Sequence, residues 1–314
     1  MRPYRFGLTY RCRIHRPRMS NTAKTADPAA AQANRRNVGN GPSIPVRVLR
    51  PSTGWSPVDF AELWASKEIL YFLVWRDLKV RYRQAALGAM WAIVQPVLAV
   101  GIFTVFFGRF VGVPSDGIPY PVFALAAIVP WAFFANGVTM GTQSILVNEQ
   151  LVRRIYFPRL LVPVGAVLSG SVDVMISMML LLVLALAYGI APTIKWLLVP
   201  IFLLLTALAA FGIAIILSAL NVRYRDVQYV VPFFTQLLMF ASPIVYPSSV
   251  LAEPWRTLYG INPMAGIIDG VRWALFGTSP TAASLSLSVT VSLALLVSGA
   301  FFFRRTERTF ADLI

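Results

Sequence analysis

Six charge-poor windows dominate this sequence, running approximately from Ala86 to Gly108, Tyr120 to Gly141, Pro163 to Ile190, Trp196 to Asn221, Tyr229 to Tyr246 and Leu285 to Phe303. As helices of roughly 20 residues they match the roughly 30 Å hydrocarbon core of a bilayer. Backbone in lipid must satisfy its own hydrogen bonds, and apolar runs without period-two alternation do so as helices. The expectation is therefore an all-α integral membrane protein with six transmembrane helices. The fifth window is the shortest and is interrupted by Pro232 and Pro243. Composition agrees: 57% of residues are hydrophobic, 13% are charged and mean hydropathy is +0.66, whereas soluble domains carry about 25% charged residues.

The formal net charge is +15, and most of it lies before the first window. Residues 1–50 hold eleven Arg or Lys against one acid, Asp27. This stretch is rich in Ala, Asn and Pro and contains no nucleic-acid-binding module, so it reads as a disordered basic tail attracted to anionic lipid. Its first twenty residues lack the apolar core of a secretory signal, and the chain is expected to begin in the cytosol. Short connections retain Arg and Lys on the cytoplasmic side. One side of the predicted bundle carries Arg76, Lys79, Arg81 and Arg83, then Arg153, Arg154 and Arg159, then Arg223 and Arg225, then Arg304, Arg305 and Arg308. The other carries Arg109, Lys195, Arg256 and Arg272. Both termini are thus predicted to be cytoplasmic.

Residues 51–84 form a segment of their own between the tail and the transmembrane domain, 85–314. Ser56, Pro57 and Asp59 make a helix start. At 100° per residue Phe60, Trp64, Tyr71, Val74, Trp75, Leu78 and Tyr82 share one side, and Arg76, Lys79 and Arg83 another. An amphipathic helix lying along the membrane interface fits this pattern; Ile69 and Phe72, outside the stripe, point to packing on protein as well. Between windows five and six, Pro247 to Pro280 is too long for a turn and is broken by Gly260, Pro263, Gly266, Gly270, Asp269 and Arg272. It reads either as re-entrant half-helices or as a surface amphipathic helix.

One cysteine, Cys12, and one histidine, His15, exclude an intramolecular disulfide, a His-based zinc site and a His-based triad. No cluster of acids suits a membrane-bound transferase. Asp173 is the one formal charge within a window, a placement that costs roughly 2.5–3.5 kcal/mol on insertion scales. It is either an ion relay or, by preference, a structural hydrogen-bonding group for Ser169, Ser177 or a neighbouring helix. Gln95, Trp131, Phe134 and Gln236 join Asp173 as candidates for lining a conduit. An ion-coupled secondary transporter would show internal repeats and paired intramembrane charges, and neither is seen.

The connection "NEQLVRRIYFPRLL", residues 148–161, concentrates charge where the flanking windows have almost none. Anchoring by positive charge explains Arg153, Arg154 and Arg159, but not the adjacent Glu149, Tyr156, Phe157 and Pro158. An aromatic flanked by charges suits a socket on a soluble partner.

Several segments, "LVWRDLKVRYRQAALGAMWAIVQPVL", "VRRIYFPRLLVP", "SALNVRYRDVQY", "INPMAG" and "RRTERTFADLI", occur in an order that resembles the membrane subunit of ABC-2 type exporters. More narrowly, they are similar to the permeases that export polysaccharides and polyol phosphates, among them O-antigen, capsule and teichoic acid. The resemblance runs from Arg50 to Ile314. It implies six transmembrane helices, an interface helix bearing Trp75, Arg76, Lys79, Arg81, Tyr82 and Arg83, and two re-entrant helices between spans five and six. It also implies a homodimer in the bacterial inner membrane, bound to two separate ATPase subunits that carry ATP and Mg. Glu149, Arg153, Arg154, Tyr156, Phe157 and Arg159 would then form the coupling helix that docks on the ATPase, and Asn262 and Pro263 part of an outer gate. The implied cargo is a lipid-linked glycan, with a small-molecule exporter as the alternative. The sequence holds no G-x-x-x-x-G-K-[ST] loop, so the motor must be another chain.

Overall fold

A computed structural model describes residues 60–83, 90–155, 157–307 and 310. The basic tail, the helix start at Ser56, the beginning of the first window at Ala86, Tyr156, Arg308 and the terminal "ADLI" lie outside them. The regular elements of the described residues are all helices, with no strand among them.

Helices α1 (Phe60–Ala65) and α2 (Lys67–Arg83) form the amphipathic segment and meet at Ser66. Leu73, 1% exposed, is the buried residue of α2. Together with Leu63, Ile69 and Leu70 it packs on a hydrophobic cluster that includes Leu161, Phe157 and Phe303. Trp64, Tyr71, Phe72 and Trp75 remain exposed, and Tyr71 stacks on Trp75 with centroids 6.4 Å apart. The helix thus grips protein with one face and presents aromatics with another; Ile69 packs on protein as expected, whereas Phe72 is exposed.

Among the described residues, five helical stretches are long and apolar enough to cross a membrane: Trp91–Val111, Tyr120–Val147, Leu161–Ala187, Ile194–Arg223 and Ala282–Glu307. The first joins α3 (Trp91–Phe103) to a π-helical turn, Thr104–Val111. The second, α4 (Tyr120–Val147), has Pro121 in its first turn and is the buried centre of the bundle. Its 28 residues span about 42 Å at 1.5 Å per residue. A short helix α5 (Glu149–Arg154) precedes the third stretch, α6 (Leu161–Leu168) and α7 (Ser171–Ala187), which break at Ser169 and Gly170. The fourth is a 3-10 turn leading into α8 (Val199–Arg223), and the fifth is α12 (Ala282–Glu307).

Small residues let these helices approach closely, as lipid-embedded packing requires. A Cβ on Gly141 would lie 2.6 Å from Ala214 Cβ, and one on Gly212 would lie 2.7 Å from the backbone of Leu295 and Leu296. Helices α4, α8 and α12 therefore pack almost backbone to backbone.

The fifth window departs from expectation. Helix α9 (Val227–Phe240) has 14 residues, about 21 Å of helix, and Val231 is its buried residue. Beyond it the chain turns through Ser242, Pro243, Ile244 and Val245, all buried. Their carbonyls are met by side chains: Arg272 donates to Pro243 O at 2.6 Å and Ile244 O at 3.1 Å, and the Tyr120 hydroxyl to Val245 O at 2.9 Å. Irregular backbone is tolerated at depth on this condition. Helices α10 (Trp255–Leu258) and α11 (Pro263–Phe276) follow. Asn262 caps α11 by accepting from Met264 N–H at 3.0 Å, Pro263 opens it, and Gly277 closes it at φ 78°. The side-chain cap, the proline at the first position and the left-handed glycine each fit the role their residue type plays at a helix end.

Candidate partner-docking site

The arginine-rich connection expected to engage a partner lies at the end of the bundle where α4 ends and α6 begins. Asn148 terminates α4, its amide donating to Ser144 O at 2.7 Å. The chain then turns into α5, where Glu149 and Arg153 pair at 2.8 Å. Both are about half exposed, so the pair is worth only about 0.3–0.5 kcal/mol. Arg154 and Ile155 are exposed beside it. Arg159 is held inward, donating to Glu307 O at 2.9 Å and so tying the connection to the end of α12. Arg153, Arg154, Arg159 and Arg304, with Glu307, rim a cavity of about 320 Å³ floored by Leu63, Val152 and Phe157. A concave surface with a basic rim and an apolar floor suits an acidic and apolar protein element.

Phe157 corrects one expectation. It is 6% exposed and packs with Val152, Leu160, Leu161, Phe303 and Phe310, so it is not displayed as an exposed aromatic but anchors the connection from within and forms part of the cavity floor. Hydrophobic burial outweighs display here because α1, α2 and the end of α12 close over the loop. Tyr156 lies outside the described residues. The second connection at this end places Arg223, Tyr224, Arg225 and Asp226 on the surface, with Arg223 5.4 Å above the Tyr224 ring.

Asp173 is not the isolated charge that the windows implied. Arg81 forms an ion pair with one of its carboxylate oxygens and the Tyr82 hydroxyl donates to the other. Burial first, and then the bond to Asp173, pushes the Tyr82 phenol up to about 12. Ser169 accepts a long bond from the same Arg81 at 3.4 Å, while Ser177 donates instead to Ala92 O at 3.1 Å. The hydrogen-bond partners of Asp173 thus lie on α2, 92 and 91 residues away in sequence. Arg76 bonds its neighbour Asp77 at 2.7 Å, and Trp75, Lys79 and Arg83 are exposed.

Among the conduit candidates, Gln95 and Gln236 are exposed on α3 and α9. Trp131 and Phe134, 6% and 1% exposed, lie 5.5 Å apart inside the core. Both pack within the chain, where α4 is enclosed by its neighbours. Asn262 ties α11 to the end of α9, donating to Ala241 O at 2.9 Å and Ser242 Oγ at 2.8 Å, and Pro263 is buried. Sequence reasoning passed over Arg272, reading it as a charge that interrupts an apolar run. An arginine within an apolar run beside the broken fifth window was the available signal.

Residues 68–276, from the first turn of α2 to the last residue of α11, match the ABC-2 type transporter family. Over 257 residues the chain is 31% identical to the O-antigen export system permease protein RfbA of Myxococcus xanthus, covering 81% of this chain and 98% of that protein. It is 27% identical over 248 residues to a protein of the same name from Klebsiella pneumoniae, covering 79% and 95%. The polysialic acid transport protein KpsM of Escherichia coli is 23% identical over 234 residues, covering 74% and 91%. With a family match across most of its helices and a relative aligned along nearly its whole length, this chain belongs to the ABC-2 type transporter family.

Proposed function

We infer that this chain is the permease subunit of an ABC exporter that moves a polysaccharide across the membrane. The observation that carries this is the near end-to-end alignment with O-antigen export permeases. The cargo is a lipid-linked glycan, and the chain works as a homodimer in the bacterial inner membrane. A separate ATP-binding subunit, two copies per dimer, supplies the energy, since the sequence has no phosphate-binding loop. That subunit, holding ATP and Mg, docks on α5 and its basic cavity, so this end of the bundle and both chain termini are cytoplasmic. The excess of arginine at this end supports the orientation.

On this reading the chain makes six crossings. Although α9 is short, it leaves the end bearing Arg223 and Arg225, and the turn after it reaches Tyr120 at the opposite end, which supports a crossing. Helices α10 and α11 start and finish near that opposite end. Met264, Ile267, Ile268 and Val271 of α11 are buried in the main core, as re-entrant helices require.

Purification of the tagged protein from its native membranes in mild detergent tests this reading. Recovery of a P-loop ATPase at one copy per permease is expected, together with loss of one surface polysaccharide on depletion. A folded permease recovered alone would overturn the separate-ATPase reading. An ATPase partner without any polymer defect would replace the polysaccharide by a small molecule.

A further inference from the structure

At the end of the bundle opposite the arginine-rich connection, a cavity of about 430 Å³ is lined by Asp116, Ser248, Arg256, Asp269, Arg272 and Ser279, among others. Small-ligand sites occupy roughly 300–1,000 Å³, so the volume suffices for one. The walls come from the α3–α4 connection, the turn after α9, α10, α11 and the approach to α12.

Two features distinguish this cavity from an ordinary surface cleft. Arg272 is 2% exposed and spends its terminal nitrogens on the carbonyls of Pro243, Ile244 and Phe123, yet its buried Nε–H has no acceptor. Arg256 repeats the pattern: one terminal nitrogen donates to Ser279 O at 3.3 Å, while its buried Nε–H has no acceptor. Buried donors are nearly always paired, so two unpaired on one wall are an anomaly. The second feature is Asp269. It lines the cavity beside Ser248. It forms no ion pair among the described residues.

Charge then selects the ligand. Arg256 and Arg272 disfavour a cation, and Asp116 and Asp269 disfavour an anion such as phosphate; the four together are formally neutral. A neutral molecule carrying adjacent donors and acceptors remains. Vicinal hydroxyls of a sugar ring meet this need, one O–H donating to the carboxylate while oxygens accept from the guanidinium N–H groups. We propose that this cavity binds a single neutral sugar residue of the exported glycan, held between Asp269 and the guanidinium groups of Arg256 and Arg272 that line it. The proposal rests on the polysaccharide-export reading above. Placed at the exit end, the site would hold the emerging chain between α11 and the α3–α4 connection.

The test uses the permease–ATPase complex in lipid nanodiscs. The methyl pyranosides of mannose, galactose and glucose serve as probes, and binding is read by saturation-transfer NMR. At least one probe is expected to show transfer to its ring protons, and Asp269→Asn and Arg256→Gln are each expected to weaken its binding about tenfold, the loss of one hydrogen bond to a charged group. Arg256, only partly buried, carries the test if the Asp269 variant fails to accumulate. No transfer to any of the three probes, or binding unchanged in both variants, overturns the site. Restoration of surface polymer by the wild-type chain in a depletion strain tests export separately. Restoration together with variant-insensitive binding refutes the site and leaves the export reading standing. Failed restoration together with variant-sensitive binding refutes the export reading alone.

Discussion

The guanidinium carbon of Arg272 lies 3.5 Å from the ring centroid of Phe123, close enough for a cation–π contact in a fully desolvated setting. The same group donates to carbonyls on α4 and on the turn after α9. One side chain therefore joins α11, α4 and the broken end of α9, and substitutes for the backbone bonds that a longer helix would have made. Arg272→Met keeps the volume and removes every donor. With about 1–3 kcal/mol lost for each carbonyl left unsatisfied, the variant is expected to show a clearly lower melting temperature in detergent and reduced membrane levels. Arg272→Lys, which cannot reach three carbonyls at once, should fall between. Wild-type stability in Arg272→Met would refute this bracing role.

Arg81, Tyr82 and Asp173 fasten the end of α2 to the first turn of α7. Asp173→Asn and Arg81→Gln are each expected to destabilise the protein, by about 1–3 kcal/mol, and the double variant should cost little more than the worse single one, since coupled residues are not additive. A thermal double-mutant cycle on purified protein measures this. Full additivity would show that the two do not act as a pair. Loss of export with unchanged stability in Asp173→Asn would instead return the carboxylate to the role of an ion relay.

Much of this architecture was legible in the sequence, because hydropathy and charge act locally. Five of the six windows coincide with long helices, and the proline in the first turn of α4 and the Asn-Pro…Gly frame of α11 mark their own ends. What could not be read were relationships over long sequence separation. The partner of Asp173 lies on the amphipathic helix, and the partner of the α9 turn lies on α11. The aromatic of the arginine-rich connection was misplaced for a similar reason. Whether Phe157 faces solvent or core depends on α1, α2 and α12 closing over it, and no spacing within the loop records that. Polarity and aromaticity do not reveal that Trp131 and Phe134 sit on the helix at the centre of the bundle.

Gly212 and Gly299 let α8 and α12 approach closely, since a Cβ on Gly299 would lie 2.6 Å from the Gly212 carbonyl oxygen. Gly212→Leu must push backbone against backbone, and overpacking of this kind typically costs about 1–3 kcal/mol or more. The variant is expected to run as an aggregate in size-exclusion chromatography, with Gly212→Ala partly affected. A monodisperse, fully active Gly212→Leu protein would mean that the two helices can separate without loss.

Arg154 and Phe157 separate docking from folding within one loop. Arg154 is exposed on the rim of the basic cavity and has no hydrogen bond or ion pair among the described residues, so Arg154→Glu changes stability by no more than about 0.5 kcal/mol. It does reverse the charge offered to an acidic partner surface. The expectation is a permease of normal melting temperature that captures less ATPase in pull-down and exports less polymer. Phe157→Ala removes a ring from the core formed with Phe303 and Phe310, at a cost of roughly 3–5 kcal/mol. Its melting temperature, membrane level and export should therefore fall together. Were both variants to lose export by the same route, with stability falling in each, the loop would be a structural element of the permease and the docking surface would have to be sought at Arg223 and Arg225.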